Sequence, residues 1–222
     1  MIDIASLKSN IIFKKVFSQP DVFCQLVHDV LGTPIQVDHI LQGYRYPEQV
    51  GHIDIELDLF AEDVNNQVVI QIVNAREVYY LNRFLYCHAI GLLQQMKSYR
   101  DVGFHKDLNY SFDKTVHTVV ILTGVPCPEE EAIQFSVGTV HPDPVSEFGR
   151  RVGFYPHRLV LLNPRIRNEG TPESIRPWLE LIYDSLGEWV DETRYRSPIF
   201  RKVIETIRKD KMTPWELAQS RY

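Results

Sequence analysis

His52-Ile-Asp-Ile-Glu-Leu-Asp-Leu-Phe60 and Gln67-Val-Val-Ile-Gln-Ile-Val-Asn74, with Asp63-Val-Asn65-Asn66 between them, decide the fold. The first segment alternates. Strand side chains point to opposite faces with period two, so Ile53, Ile55, Leu57 and Leu59 are expected on one face and His52, Asp54, Glu56 and Asp58 on the other. The second is apolar at nearly every position, as a strand covered on both faces should be. Asp and Asn between them tolerate turn geometry, which makes the pair a hairpin.

Outward from the hairpin, helix and strand patterns alternate. Ser9 is positioned to cap a short helix carrying Ile11, Ile12, Phe13, Val16 and Phe17, with Lys14 and Lys15 on its polar side. Pro20 and Gly32 bracket a second helix over about Asp21–Leu31. Ile35–Leu41 reads as a strand closed by Gly43. Beyond the hairpin, Glu77 to Lys97 carries the longest helical pattern, with Val78, Leu81, Leu85, His88 or Ala89, Leu92 and Met96 as the expected buried stripe. Thr115–Thr123 is a β-branched strand after a polar connector. Ile133–Val140 and Arg158–Leu162 read as further strands, and Pro172–Leu186, Ser197–Lys209 and Thr213–Arg221 as helices. Thr171-Pro-Glu and Thr213-Pro-Trp-Glu216 have the form of capped helix starts.

The 222 residues can bury a sizeable core, and 44% are apolar, which argues for a globular chain. A net charge of −5 leaves nucleic-acid binding to a local basic patch rather than to the whole surface. Cys24, Cys87 and Cys127 lack zinc spacing and a disulfide framework, so a reducing cytoplasmic setting is expected. The N-terminal residues do not have the form of a signal peptide, and no apolar run suits a membrane span. Glycine-rich phosphate loops, an HExxH pair and a GxSxG elbow are absent.

Two constellations carry chemistry. Asp54, Glu56 and Asp58 repel one another unless solvated, paired or metal-bound. Oxygen ligands of this kind suit Mg²⁺ or Mn²⁺, which activates water for phosphodiester hydrolysis; the plainer reading is the wet face of a strand. Arg76, Tyr80 and Arg83 share one helical face as a candidate phosphate-contacting edge with Lys14 and Lys15, or as a solvated flank. Trp178, Trp189 and Trp215 all fall in the C-terminal region, where core or interface positions are expected.

Phe13-Lys14-x-x-Phe17, Leu57-Asp58, Ile70-Gln-Ile-Val73 and Arg83-Phe-Leu-Tyr86, in that order and followed by the apolar strand Val116–Leu122, resemble the PD-(D/E)xK nuclease family transposases, also called recombination-promoting nucleases. The resemblance covers roughly the first 125 residues. It implies an α/β fold with a restriction-endonuclease-like αβββαβ core, a central mixed sheet flanked by helices, and a helical C-terminal extension. On this division residues 1–125 form the nuclease core, 126–170 a strand and loop extension, and 171–222 a helical region.

The family site holds a divalent metal on a carboxylate ending the second strand and on Glu-x-Lys or Glu-x-Gln in the third. Carried over, Asp58 matches the first carboxylate, Gln71 stands in place of Glu, Val73 in place of Lys or Gln, and Asn10 in place of the usual Asp. An amide is a poor substitute for a carboxylate on Mg²⁺, and valine neither donates nor carries charge. The resemblance therefore implies a DNA endonuclease of recombination or transposition that is catalytically impaired and persists as a DNA-binding or interaction module. Two alternatives stand beside it. One is an active Mg²⁺ nuclease with a rearranged site of Asp58, Glu56 and Asp54. The other is a protein-interaction domain without DNA binding. DNA is the implied partner, a homo-oligomer is possible, and Mg²⁺ or Mn²⁺ is required only if the site is active.

Overall fold

The computed structural model describes residues 1–46, 55–74, 80–97, 112–124, 135–140, 155–166 and 168–219. Helix α1 (Asn10–Phe17) buries Ile12, Phe13, Val16 and Phe17. Helix α2 (Pro20–Leu31) starts on its proline and stops at Gly32, whose φ of 66° places it in the left-handed region that glycine enters without strain. Both helices match the sequence expectation to within a residue or two.

Among the described residues six strands form one mixed sheet. They are β2 (Leu41–Tyr44), β3 (Leu57–Glu62), β4 (Asn66–Val73), β5 (Thr115–Leu122), β6 (Val137–Val140) and β7 (Arg158–Leu162), in the spatial order β2-β3-β4-β5-β7-β6. The hairpin β3–β4 is antiparallel, β4–β5 and β5–β7 are parallel, and β6 returns antiparallel. The turn forms as the Asp and Asn residues suggest: Asp63 Oδ1 accepts from the Asn65 and Asn66 amides at 2.8 and 2.7 Å. A small second sheet pairs β1 (Ile2–Asp3) with β8 (Trp189–Val190), which no periodicity announces because each strand has two residues.

Helices cover both faces. On one side α1, α2, α4 (Arg176–Leu186) and α5 (Pro198–Ile207) share a single core with Leu59, Val68, Ile70, Val119 and Ile121, so the C-terminal helices pack onto the same layer as the N-terminal ones. On the other, α3 (Tyr80–Lys97) lies over the sheet, with Phe84 against Val120, Leu122, Leu159 and Leu161, and Cys87 against Leu57, Phe60 and Val69. Helix α6 (Pro214–Gln219) begins with the expected capping box, the Thr213 amide donating to Glu216 Oε2 at 2.8 Å and the Glu216 amide to Thr213 Oγ1 at 3.2 Å. Among the described residues no helix is long and apolar enough to cross a membrane.

Four expectations are corrected. The strand expected over Ile35–Leu41 begins only at Leu41, because that is where a ladder partner is available; Ile35 and Val37 are buried in the core without strand pairing. Of the strand expected from His52, positions 52–54 lie outside the described residues and β3 begins at Leu57, where the alternation breaks: Leu57 packs towards α3 and Leu59 towards α1 and α2. Thr171 does not cap α4, which starts at Arg176; its hydroxyl donates to Ser136 Oγ instead.

The fourth concerns α3, whose buried face runs through Phe84, Cys87, His88, Ile90, Gly91 and Gln95, while Leu85 is exposed. Polar residues hold that face to the sheet. Gln95 Nε2 donates to Gln67 Oε1 at 2.7 Å, Gln67 Nε2 to the Tyr46 hydroxyl at 2.6 Å, and His88 Nδ1 lies 3.0 Å from Thr118 Oγ1. Gly91 permits this approach, since a Cβ there would meet Gln67 Nε2 at 3.0 Å, the Tyr46 hydroxyl at 3.1 Å and Val116 at 3.1 Å. Gly91→Ala is expected to destabilise the fold by about 1–2 kcal/mol in urea melts, overpacking outweighing the gain in helix propensity. An unchanged or raised midpoint would show that the seam yields.

Candidate functional site

Asp58 sits where β3 and β4 part. The ladder between them pairs Leu59–Glu62 with Ile70–Gln67 and ends there. Beyond it the Ile72 amide has no carbonyl across from it in that ladder, and Asp58 Oδ2 accepts its proton at 2.9 Å. The aspartate is thus buried, 7% exposed, rather than on a wet strand face.

Helix α1 supplies what surrounds the other oxygen. Asn10 and Lys14, four residues apart, stand one above the other on that helix. Asn10 Nδ2 donates to Asp58 Oδ1 at 3.2 Å, and Lys14 Nζ lies 3.7 Å from the same oxygen and 3.8 Å from Glu56 Oε1. Arg45 donates to the second oxygen of Glu56 at 2.9 Å. Its hydrogen bond, reinforced by the Lys14 charge, holds the Glu56 carboxyl below the usual carboxylate range.

On β4, Gln71 is 1% exposed and its Nε2 has no hydrogen-bond partner. Val73 is half-buried against the cluster of Phe84, Val120 and Leu122. Cys87 on α3 packs against Leu57, Phe60 and Val69, and burial pushes its thiol up to about 11, Arg83 opposing the effect and the Asp58 charge adding to it.

These residues do not fit a divalent metal. Mg²⁺ and Mn²⁺ need oxygen atoms free to ligate. Here Lys14 Nζ already stands beside Asp58 Oδ1 and Glu56 Oε1, Arg45 holds the other oxygen of Glu56, and each oxygen of Asp58 accepts a hydrogen bond. Among the described residues, the groups that contact Asp58 directly, Asn10, the Ile72 amide and Lys14, are donors or positively charged. Among the described residues no three His, Cys, Asp or Glu side chains form a metal-holding group.

The structure brings together three of the site residues expected from sequence, Asn10, Glu56 and Asp58, with Lys14 as their counter-ion, while Gln71 is buried on β4 with its amide nitrogen unpaired. Lys14 was expected to meet phosphate. The signal that places it here is its four-residue offset from Asn10. Lys15 is committed elsewhere, to Glu216 Oε1 of α6 at 2.6 Å, and this bond draws the Glu216 carboxyl down to about 2. Arg83 is exposed on α3, and Tyr80 opens that helix. Asp54 and Arg76 lie outside the described residues, as does Cys127. Four of the C-terminal cations are also paired: Lys202 with Asp21, Lys209 with Asp3 and Glu188, Arg208 with Asp210, and Lys211 with Glu205.

The fold so described is that of an α/β protein with a central mixed six-stranded sheet flanked by helices. Compared with protein-family models, curated proteins and solved structures, the chain matches none.

Proposed function

We propose that this chain is a relative of the PD-(D/E)xK recombination nucleases, with a restriction-endonuclease-like core, that has lost metal-dependent cleavage and acts as a DNA-binding or interaction module. The observation that carries the reading is the pair of residues on β4. Where the family places an acid and a polar partner, Gln71 buries an unpaired amide nitrogen and Val73 packs into an apolar cluster. Neither supplies a ligand or stabilises developing negative charge, and one such loss commonly costs about 100- to 1,000-fold in rate. The rearranged alternative, with Glu56 and Asp54 joining Asp58, draws little support from a Glu56 carboxylate that Arg45 and Lys14 already hold.

Of the two kinds of module, protein interaction is favoured by the internal pairing of Lys14 and Lys15, which removes two of the cations expected to meet phosphate. Plasmid incubated with the purified chain in Mg²⁺ or Mn²⁺ is expected to stay intact with wild type and with Asp58→Ala alike. Cleavage by wild type that Asp58→Ala abolishes would overturn the reading. Titration with duplex DNA separates the modules. Binding that falls steeply between 50 and 200 mM salt, roughly 10³-fold or more, would mark several phosphate contacts and restore the DNA-binding form.

A further inference from the structure

We infer that Lys14 is the built-in cation of this site: its ammonium holds the position between Asp58 and Glu56 that a divalent metal would take, and excludes one. The inference rests on the non-catalytic reading given above and goes beyond it, since a site can lose turnover and still bind metal.

The geometry is that of a shared counter-ion. Lys14 Nζ lies nearly equidistant from carboxylate oxygens of two residues, 3.7 Å from Asp58 and 3.8 Å from Glu56. It is not a loose surface charge, because its side chain is only 18% exposed and that of Asp58 10%. Exposed ion pairs are worth little, whereas a charge this deep needs a partner. Nor can the helix readily carry the lysine away. The neighbouring residues Ile12, Phe13, Val16 and Phe17 are fully buried in the main core, which fixes α1 against the sheet.

The remaining neighbours act in the same sense. Asn10 and the Ile72 amide donate to opposite oxygens of Asp58 and hold the carboxylate facing the ammonium. A divalent ion approaching Asp58 would meet the ammonium within about 4 Å, and that repulsion offsets the attraction of a carboxylate at similar distance. To bind, it would have to displace the lysine from both carboxylates.

Removing the ammonium should therefore create what the wild type lacks. In Lys14→Met, Asp58 loses its counter-charge and Glu56 keeps only Arg45, so a metal can take the place the ammonium held. The test is thermal unfolding of the full chain in EDTA and in Mn²⁺ alone. Wild type is expected to melt at the same temperature in both. Lys14→Met should melt lower in EDTA and regain roughly 5 °C with Mn²⁺ at about 100 times its dissociation constant. In Lys14→Met/Asp58→Asn that gain should vanish.

A wild-type melting temperature raised by Mn²⁺, with the rise lost in Asp58→Asn, would overturn the inference. So would a Lys14→Met chain no more responsive than wild type. If Lys14→Met fails to fold, Mn²⁺ titration of wild type and Asp58→Asn followed by electron paramagnetic resonance decides. An Asp58-dependent bound signal overturns the inference, and its absence supports it. Plasmid cleavage by wild type would overturn the functional reading, whereas Mn²⁺ binding without cleavage would overturn the lysine inference and leave that reading standing.

Discussion

Trp178→Ala is expected to lower the urea midpoint of unfolding by about 1–2 M, a loss of roughly 3–5 kcal/mol. The indole is 0% exposed and sits where four helices meet. Its ring centroid lies 6.0 Å from that of Phe17 on α1 and 4.7 Å from that of Phe200 on α5, and its Nε1 donates to Asp29 Oδ2 on α2 at 2.7 Å. Truncation removes the transfer free energy of the ring and leaves a cavity between rigid neighbours that cannot close it. Domains of this kind are stable by about 5–15 kcal/mol, so one substitution removes roughly a fifth of the total or more. Trp178→Phe keeps most of the apolar volume and loses the N–H, and about 1–2 kcal/mol is expected. Trp189 and Trp215 are 52% and 62% exposed, and alanine at either should shift the midpoint little. A fall of less than about 0.5 M for Trp178→Ala, with an unchanged slope, would refute the assignment of this residue as the centre of the helical layer.

The three tryptophans show how far the chain could be read in advance. Residues buried on both faces announce themselves: β4 and β5 are runs of β-branched and apolar side chains, and both fall within a residue of their expected bounds. Helices α1, α2 and α5 carry strong apolar stripes between proline, serine and glycine signals. Trp178 and Trp215, by contrast, both sit on helices and differ only in what lies opposite them, which no local pattern records.

The same limit governs α3. Its buried face includes Gln95 and His88, which look like surface residues until Gln67 and Thr118 are placed beside them. At the site Asp58 could be singled out from sequence, but its surroundings could not. Period two put it on a wet face with Glu56. The parting of the strands instead buries it, and its contacts with Asn10 and Lys14 span more than 40 residues of chain.

Acidification is expected to unfold the protein well before its carboxylates titrate, because three buried histidines must remain neutral. His117 is 2% exposed, and neither ring nitrogen has a hydrogen-bond partner. His88 is 8% exposed beside Thr118. Burial draws each down to about 4; the Arg158 charge adds to the effect at His117, and His157 adds to it at both. His157 is buried with Nδ1 accepting from the Val116 amide at 2.8 Å, which puts the proton of the neutral ring on Nε2. Charging that ring would set Nδ1–H against the amide and break the bond; burial lowers its affinity for a proton as well.

The sign follows from proton counting. Between pH 6.5 and about 4 the unfolded chain binds protons at His88 and His117 that the folded chain refuses, so stability is full above pH 6.5 and falls with pH through that window. At 1.36 kcal/mol per pH unit per proton, each histidine removes roughly 3 kcal/mol by pH 4. Together that approaches the whole stability of an ordinary domain. The contribution of Glu216, drawn down to about 2 from 4.5, is lost only below this window. Urea midpoints at pH 7.5, 6.5, 5.5 and 4.5 should therefore be level across the first two and drop across the last two. His117→Leu, which replaces a buried ionisable ring with a side chain that takes no proton, should hold its midpoint better at pH 4.5 and lose about half the slope. A flat profile from pH 7.5 to 4.5, or a His117→Leu profile parallel to wild type, would refute the claim that charging these buried rings is what limits the fold in acid.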